Sequence, residues 1–258
     1  MERQSQILTE LFNKGIYVIH ALKGYEFHEK RIIELFGKMN MSFEFVTDGD
    51  PQNFDKINLE DYFVKDIKSK LSEGVLSCTL NHIYAFQNIV DDSLPYGLIF
   101  ENDPFFLGDF KPKLSKVINE MMDLKPGFII SLENTSFRQP SVWDTKKGKH
   151  LYQATNCRHT AAYIIDNAAA RAILEEIKTN KCSNVIDWWQ DELIAKKVVK
   201  MYWAFPSLVE EGSHNGQMCS TISTKKSSLF RRISWFLQKQ MKMSVSRLFP
   251  NKYIVRTS

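Results

Sequence analysis

The sequence predicts an α/β fold in which a parallel or mixed central sheet is covered by helices on both faces. Two observations predict it. Short β-branched apolar runs alternate with amphipathic helical stretches, and the runs end in loops rich in Asp, Gly and Pro. Gly15 to His20 (G-I-Y-V-I-H) reads as a buried strand, and Glu26 to Met39 follows with Ile32, Leu35, Phe36 and Met39 on one helical face. Phe43 to Val46 reads as a second strand ending at Thr47-Asp48-Gly49-Asp50-Pro51, a strong loop signal. Ser72 stands where it can cap a helix running to about Val90, with Val75, Leu76, Thr79, Leu80, Ile83 and Phe86 available to the core. Pro95 stops that helix, and Tyr96 to Phe100 forms a third strand that runs into Glu101-Asn102-Asp103-Pro104. Further on the pattern predicts a helix near Lys113 to Met122 and strands at Phe128 to Leu132 and Thr160 to Ile165. Helices follow at Asn167 to about Lys178 and near Asp187 to Val198, then a strand at Met201 to Phe205. Trp143, Trp203 and the phenylalanines are expected in the core.

Length and composition fit one large or two small domains: 258 residues, 43% apolar and 25% charged. No run approaches the ~18 apolar residues that cross a bilayer, and no apolar segment follows the opening Met1-Glu2-Arg3. The expectation is therefore a cytoplasmic chain. Cys78, Cys157, Cys182 and Cys219 lie far apart and read as free thiols. The chain has no H-E-x-x-H, G-x-G-x-x-G or P-loop, which argues against zinc-protease, dinucleotide-binding and P-loop chemistry.

Charge divides the chain unevenly. From Gly212 onward there are nine basic residues and no acid, so the net charge of +4 hides a tail of +9 and a body of about −5. Between Ser227 and Met243, Phe230, Ile233, Leu237 and Met241 recur at helical spacing, with Arg231 and Lys242 on another side. We read residues 1–222 as the folded domain and 223–258 as a basic amphipathic helical tail. An anionic membrane surface suits such a helix; docking on the body or on a second subunit, as in a homo-oligomer, is the alternative. No stacking platform or recognition motif supports nucleic acid.

Ligands of open α/β sheets bind at the carboxyl ends of strands, which is where Glu101-Asn102-Asp103 lies. Two carboxylates one residue apart can project to the same side, and hard oxygen ligands suit Mg²⁺ or Mn²⁺ on a diphosphate. The wider sequence resembles glycosyltransferase family 25, the lipooligosaccharide galactosyltransferases of Gram-negative bacteria. The resemblance is carried by L-S-E-G-V-L-S-C-T-L-N-H at Leu71 to His82 and by L-P-Y-G-L-I-F-E-N-D at Leu94 to Asp103. T-A-A-Y-I-I at Thr160 to Ile165, Val185-Ile186-Asp187 and F-P-S-L-V at Phe205 to Val209 continue it in order.

The resemblance implies a GT-A-like, Rossmann-type nucleotide-sugar-binding fold and inverting transfer of a hexose, most often galactose from UDP-galactose, to a glycan acceptor. It places the family's E-D-D motif on Glu101, Asn102 and Asp103, with Asp103 and Glu101 as donor and metal residues and Mn²⁺ or Mg²⁺ as cofactor. The family's D-G falls on Asp48-Gly49, a donor-base or ribose contact. An acceptor of this kind would be lipid-linked, on the inner face of the bacterial inner membrane. Asn102 replaces the motif's middle acid, Val75 a family Glu and Asn81 a family Ser, so the alternative is an inactive nucleotide-sugar- or glycan-binding homologue. An inverting transferase needs a general base. Asp187 is the choice, before Trp188-Trp189 on which a sugar ring can lie, and Asp191 is the next candidate. His214, in a Gly-Ser-His-Asn-Gly loop, would complete the metal shell. His82 reads equally well as a hydrogen-bonded structural residue, and His159 is assigned no role.

Overall fold

The computed structural model describes residues 2–135, 138–212 and 241–256. In chain order the elements are α1 (Glu2–Lys14), β1 (Ile16–Ile19), α2 (Glu26–Lys38), β2 (Glu44–Val46), α3 (Ile67–Lys70), α4 (Glu73–Asp91), β3 (Tyr96–Glu101) and β4 (Pro104–Phe106). They continue with α5 (Phe110–Met121), β5 (Phe128–Ser131), β6 (Leu151–Ala154), β7 (Ala162–Asp166), α6 (Asn167–Asn180), α7 (Ile186–Ala195), β8 (Lys200–Ala204) and β9 (Val209–Glu211). Residues 241–248 are helical.

Seven strands form one sheet in the order β2-β1-β3-β7-β5-β8-β6, and β4 pairs with β9 in a small second sheet. β1, β2, β3, β5 and β8 run in one direction; β6 and β7 run against them. This is the mixed α/β architecture that the strand–helix alternation predicts, and it matches the GT-A-like, Rossmann-type fold that the family resemblance implies. Its consequence is geometric. The carboxyl ends of five strands share one edge with the amino ends of β6 and β7, so Glu101, Leu132 and Thr160 become neighbours despite their separation in sequence. The amides of Glu101 and Leu132 both donate to the start of β7, at the carbonyls of Ala161 and Ala162.

Period-two alternation sorts each strand's side chains between two cores. Ile16, Val18, Leu98, Phe100 and Ile164 pack with Leu11 of α1, Ile32 and Phe36 of α2, and Leu114 and Ile118 of α5. Tyr17, Ile19, Ile99 and Ile165 face Leu80, Ile83 and Phe86 of α4, Ile173 of α6 and Trp189 of α7. Truncating a fully buried Phe86 to Ala would cost about 3–5 kcal/mol. Gly97 lets α4 approach β3: a Cβ there would stand 2.2 Å from Ile89 Cδ1.

Ser72 occupies the cap position of α4, but its side chain makes no capping bond. The cap with side-chain chemistry is Asp166, which accepts from Ala169 N at 2.9 Å and also from Gly127 N and Phe128 N, joining α6 to β5. Trp203 is in the core as expected, whereas Trp143 is 75% exposed, because it sits in a loop outside both layers. Cys78, Cys157 and Cys182 are free thiols, and Cys219 lies outside the described residues. The described part of the tail lies on the body. Val255 N donates to Gln153 O of β6, Thr155 N donates to Tyr253 O, and Arg256 pairs with Asp144 at 2.8 Å. The predicted 227–243 helix falls mostly outside the described residues. Among the described residues, no helix is long and apolar enough to cross a membrane.

Candidate active site at the carboxyl edge of the sheet

The edge is built in two halves. On the β1–β2 side the chain is held by hydrogen bonds to the Asn81 amide and the Asp50 carboxylate. Asn81, inside α4, donates to the carbonyl of His20 at 3.3 Å and accepts from Gly49 N at 2.7 Å, tying the ends of β1 and β2 together. A Cβ on Gly49 would come 2.8 Å from that same Asn81 oxygen, so close approach requires glycine there. Asp50 is buried and accepts from Leu22 N and Gln52 N, which leaves Asp48 as the exposed acid of the loop. Asn102 lies 3.3 Å from His20 Nδ1.

The other half is acidic. Glu101 ends β3, and Asp103 follows it, 6% exposed. β4 then pairs antiparallel with β9 and sets Pro104 opposite Glu211, which brings Glu211 beside both. The Glu101, Asp103 and Glu211 carboxylates each present an oxygen within 4.8 Å of the others. Glu133, buried just beyond β5, forms an overlapping group with His159 and Glu211. His159 Nδ1 stands 3.5 Å from Glu133 and 3.7 Å from Glu211. Asp187 lies in the first turn of α7, whose cap position is Val185, and its charge acts on Glu101, His82 and His159. Beside it Trp188 is 62% exposed and Trp189 is buried.

The electrostatics follow from crowding like charges in a poorly solvated place. Burial, reinforced by the Glu211 charge, pushes Glu101 up to about 7 even though Thr160 Oγ1 donates to it at 2.8 Å. Burial likewise carries Glu133 to about 7. The Glu211 carboxylate, aided by Glu133, raises His159 to about 9 against its own burial. His82, enclosed within α4, is lowered to about 3 by burial; its Nδ1 bonds Tyr163 Oη at 2.7 Å and its Nε2 is 3.7 Å from Glu101. His82 is thus held by Tyr163, with its Nε2 facing Glu101 beyond hydrogen-bond distance.

Asp191 has a different setting from Asp187. Its carboxylate accepts from Cys157 N at 2.5 Å and from Asn156 Nδ2 at 3.2 Å, so it anchors the loop that leads to Arg158 and His159. Arg158 is fully buried and donates to the carbonyls of Glu133, Ala204 and Arg138, which fixes the backbone behind Glu133. Arg31 of α2 donates to Pro104 O at 2.7 Å and exerts its charge on Asp103. His214 lies outside the described residues. Glu133, Glu211 and His159 belong to no motif in the sequence; only the reversed direction of β7 and the three-residue pair β4–β9 bring them to Glu101.

Residues 14–188 match glycosyltransferase family 25 (LPS biosynthesis protein). The chain belongs to that family. It is 28% identical over 179 residues to a putative glycosyltransferase of Haemophilus influenzae, covering 66% of this chain and 60% of that protein. It is 31% identical over 171 residues to the lipooligosaccharide biosynthesis protein lic2B of Haemophilus influenzae, covering 62% of each. Over 169 residues it is 27% identical to the lacto-N-neotetraose biosynthesis glycosyltransferase LgtE of Neisseria meningitidis serogroup B, covering 62% of this chain and 60% of that protein. The match therefore spans about three fifths of the length of these relatives. Glu101, Asp103, Glu133, His159 and Asp187 fall within the family-25 span, and Glu211 lies beyond it.

Proposed function

We propose that this chain is an inverting glycosyltransferase that moves a hexose, galactose from UDP-galactose, onto a lipid-linked lipooligosaccharide acceptor. The observation that carries the reading is the convergence of Glu101, Asp103 and Glu211 at the carboxyl edge of a family-25 sheet. These residues fit a divalent cation, Mn²⁺ or Mg²⁺. The donor set is all oxygen, burial and then the Glu211 charge raise Glu101, and the nearby Glu133 Oε2 is buried without a hydrogen-bond partner. When bound, the cation supplies Lewis-acid neutralisation of the diphosphate that leaves.

The protein's own groups do the rest. Asp48 and the Gly49 backbone line the β2 end, where they would meet the donor's base or ribose. Asp187 would accept the proton of the acceptor hydroxyl as its oxygen bonds to the anomeric carbon and the bond to UDP breaks on the opposite face. The exposed ring of Trp188 would support the acceptor sugar beside that base. Asp191 keeps the 156–159 loop in place, so we assign it positioning and not proton transfer. The basic tail, residues 223–258, would hold the enzyme on the anionic inner face of the membrane where such acceptors reside.

Asn102, an amide beside His20 where the family has an acid, favours the second reading of a donor-binding homologue without turnover. UDP release with a panel of UDP-sugars, beside direct donor binding, tests both. Release that requires acceptor and a divalent cation supports the enzyme, and tight donor binding without release or transfer supports the binding module.

A further inference from the structure

The acidic edge has a counterpart of opposite character. Of the eleven large apolar side chains that are exposed among the described residues, six gather where two distant segments meet: Val142, Trp143, Met241, Val245, Leu248 and Phe249. The meeting is hydrogen-bonded, since Val142 N donates to Arg247 O at 2.9 Å and Trp143 Nε1 to Leu248 O at 2.9 Å. Met241, Val245 and Leu248 follow i, i+4, i+7 spacing on the helical segment 241–248, so they form one outward stripe. In the sequence the same spacing runs back through Leu237, Ile233 and Phe230. An apolar patch of this kind on a chain with 25% charged residues marks a contact surface.

Charge identifies the partner. The patch is bordered by exposed Lys146, Lys147, Lys149, Lys242 and Lys252. The only acid within 142–149 and 241–256 is Asp144, and it is engaged by Arg256 at 2.8 Å. Trp and Phe projecting among lysines suit the headgroup layer of an anionic bilayer, where rings insert and ammonium groups meet phosphates. A second copy that met this patch with its own patch would instead set like charges against each other. Beneath the patch lies a cavity of about 770 Å³ whose walls include Val142, Met243 and Leu248 on one side and Asn134 and Ser207 on the other. Asn134, in the cavity wall, adjoins Glu133 in the chain and donates to Glu210 at 3.4 Å.

We infer that the 142–149 loop of the body and residues 241–252 form one anionic-lipid-binding surface, with Trp143 and Phe249 as its inserted rings. This rests on the membrane reading of the tail and adds the body loop to it. The test uses the full chain in co-sedimentation with phosphatidylcholine vesicles, with and without phosphatidylglycerol, at low and high salt.

The wild type is expected on the anionic vesicles only, with binding weakened by salt. A Trp143→Ser/Phe249→Ser double variant and a Lys146→Gln/Lys147→Gln/Lys149→Gln triple variant should each bind at least about tenfold more weakly, the triple by up to about 10². The triple changes only exposed side chains, so its circular dichroism and melting should match the wild type and separate loss of binding from loss of fold. If the wild type binds and both variants bind equally well, the body loop takes no part and this inference fails while the tail reading stands. If the wild type does not bind, both fail. A dimer on a sizing column that the double variant breaks, with vesicle binding unchanged, would make the patch a subunit interface and overturn the inference.

Discussion

Along the carboxyl edge of the sheet, the ends of β1 and β2 are joined by neutral hydrogen bonds through Asn81, whereas the ends of β3, β5 and β9 set carboxylates against one another. In the first half Gly49 N, His20 O and Asp50 take partners from the chain itself, and His20 Nε2 is buried without one. The second half is electrostatically incomplete, with Glu101 and Glu133 both raised to about 7 by burial. A half tied by backbone hydrogen bonds gives shape, which suits recognition of a nucleoside, and a half of crowded carboxylates gives charge, which suits chemistry at a diphosphate. Stability and activity should therefore respond oppositely to changes in the two halves.

The largest effect is expected at the base. Asp187→Asn should bind donor normally and lose transfer by about 10²- to 10⁴-fold, read as UDP release at saturating donor. Normal transfer by Asp187→Asn together with loss in Asp191→Asn would exchange the roles assigned to them. Next, Asp103→Ala should lose about 10²- to 10³-fold in turnover, as expected when one charge-stabilising group is removed. Its melting temperature should hold or rise, because a carboxylate leaves a crowded acidic cluster. Gly49→Ala breaks the half tied through Asn81: the added methyl meets Asn81 Oδ1, and about 1–3 kcal/mol of stability should be lost in urea unfolding. Asp191→Ala should cost about 1–3 kcal/mol, because Cys157 N loses its buried acceptor, and should affect turnover only through the 156–159 loop. The smallest effect belongs to Asn102→Asp, which puts an acid where the family resemblance implies one, at a half-exposed position, and should keep or raise turnover.

The sheet and its two cores were legible because alternation and helical spacing are local signals, and β1, β3, β7 and α4 fall where those signals place them. α1 was not, since only Ile7 and Leu11 are buried in an otherwise polar stretch. β4 (PFF), β6 (LYQA) and β9 (VEE) are short and carry no β-branched apolar run of the kind that marks β1 and β5. The site divides in the same way. Glu101 and Asp103 could be singled out because a strand runs straight into them and the family resemblance sets its motif on them. Glu133, His159 and Glu211 are single residues whose meeting depends on antiparallel pairings between distant segments. Asp187 and Asp191 are told apart by their surroundings, Asp191 by its bonds to the 156–157 loop and Asp187 by its place near Glu101 and His159, and spacing carries no trace of that. Trp143 looked like core by residue type, but its loop lies outside both layers and its ring meets the tail.

The central claim is that the acidic half of the edge is a cation-assisted sugar-transfer site. UDP release from UDP-galactose in the presence of a lipooligosaccharide acceptor, measured with Mn²⁺ and again in excess EDTA, tests it most directly. The account predicts turnover with Mn²⁺, its loss in EDTA, and recovery when Mn²⁺ or Mg²⁺ is returned. Full turnover in EDTA would contradict it, as would donor binding with no release under either condition.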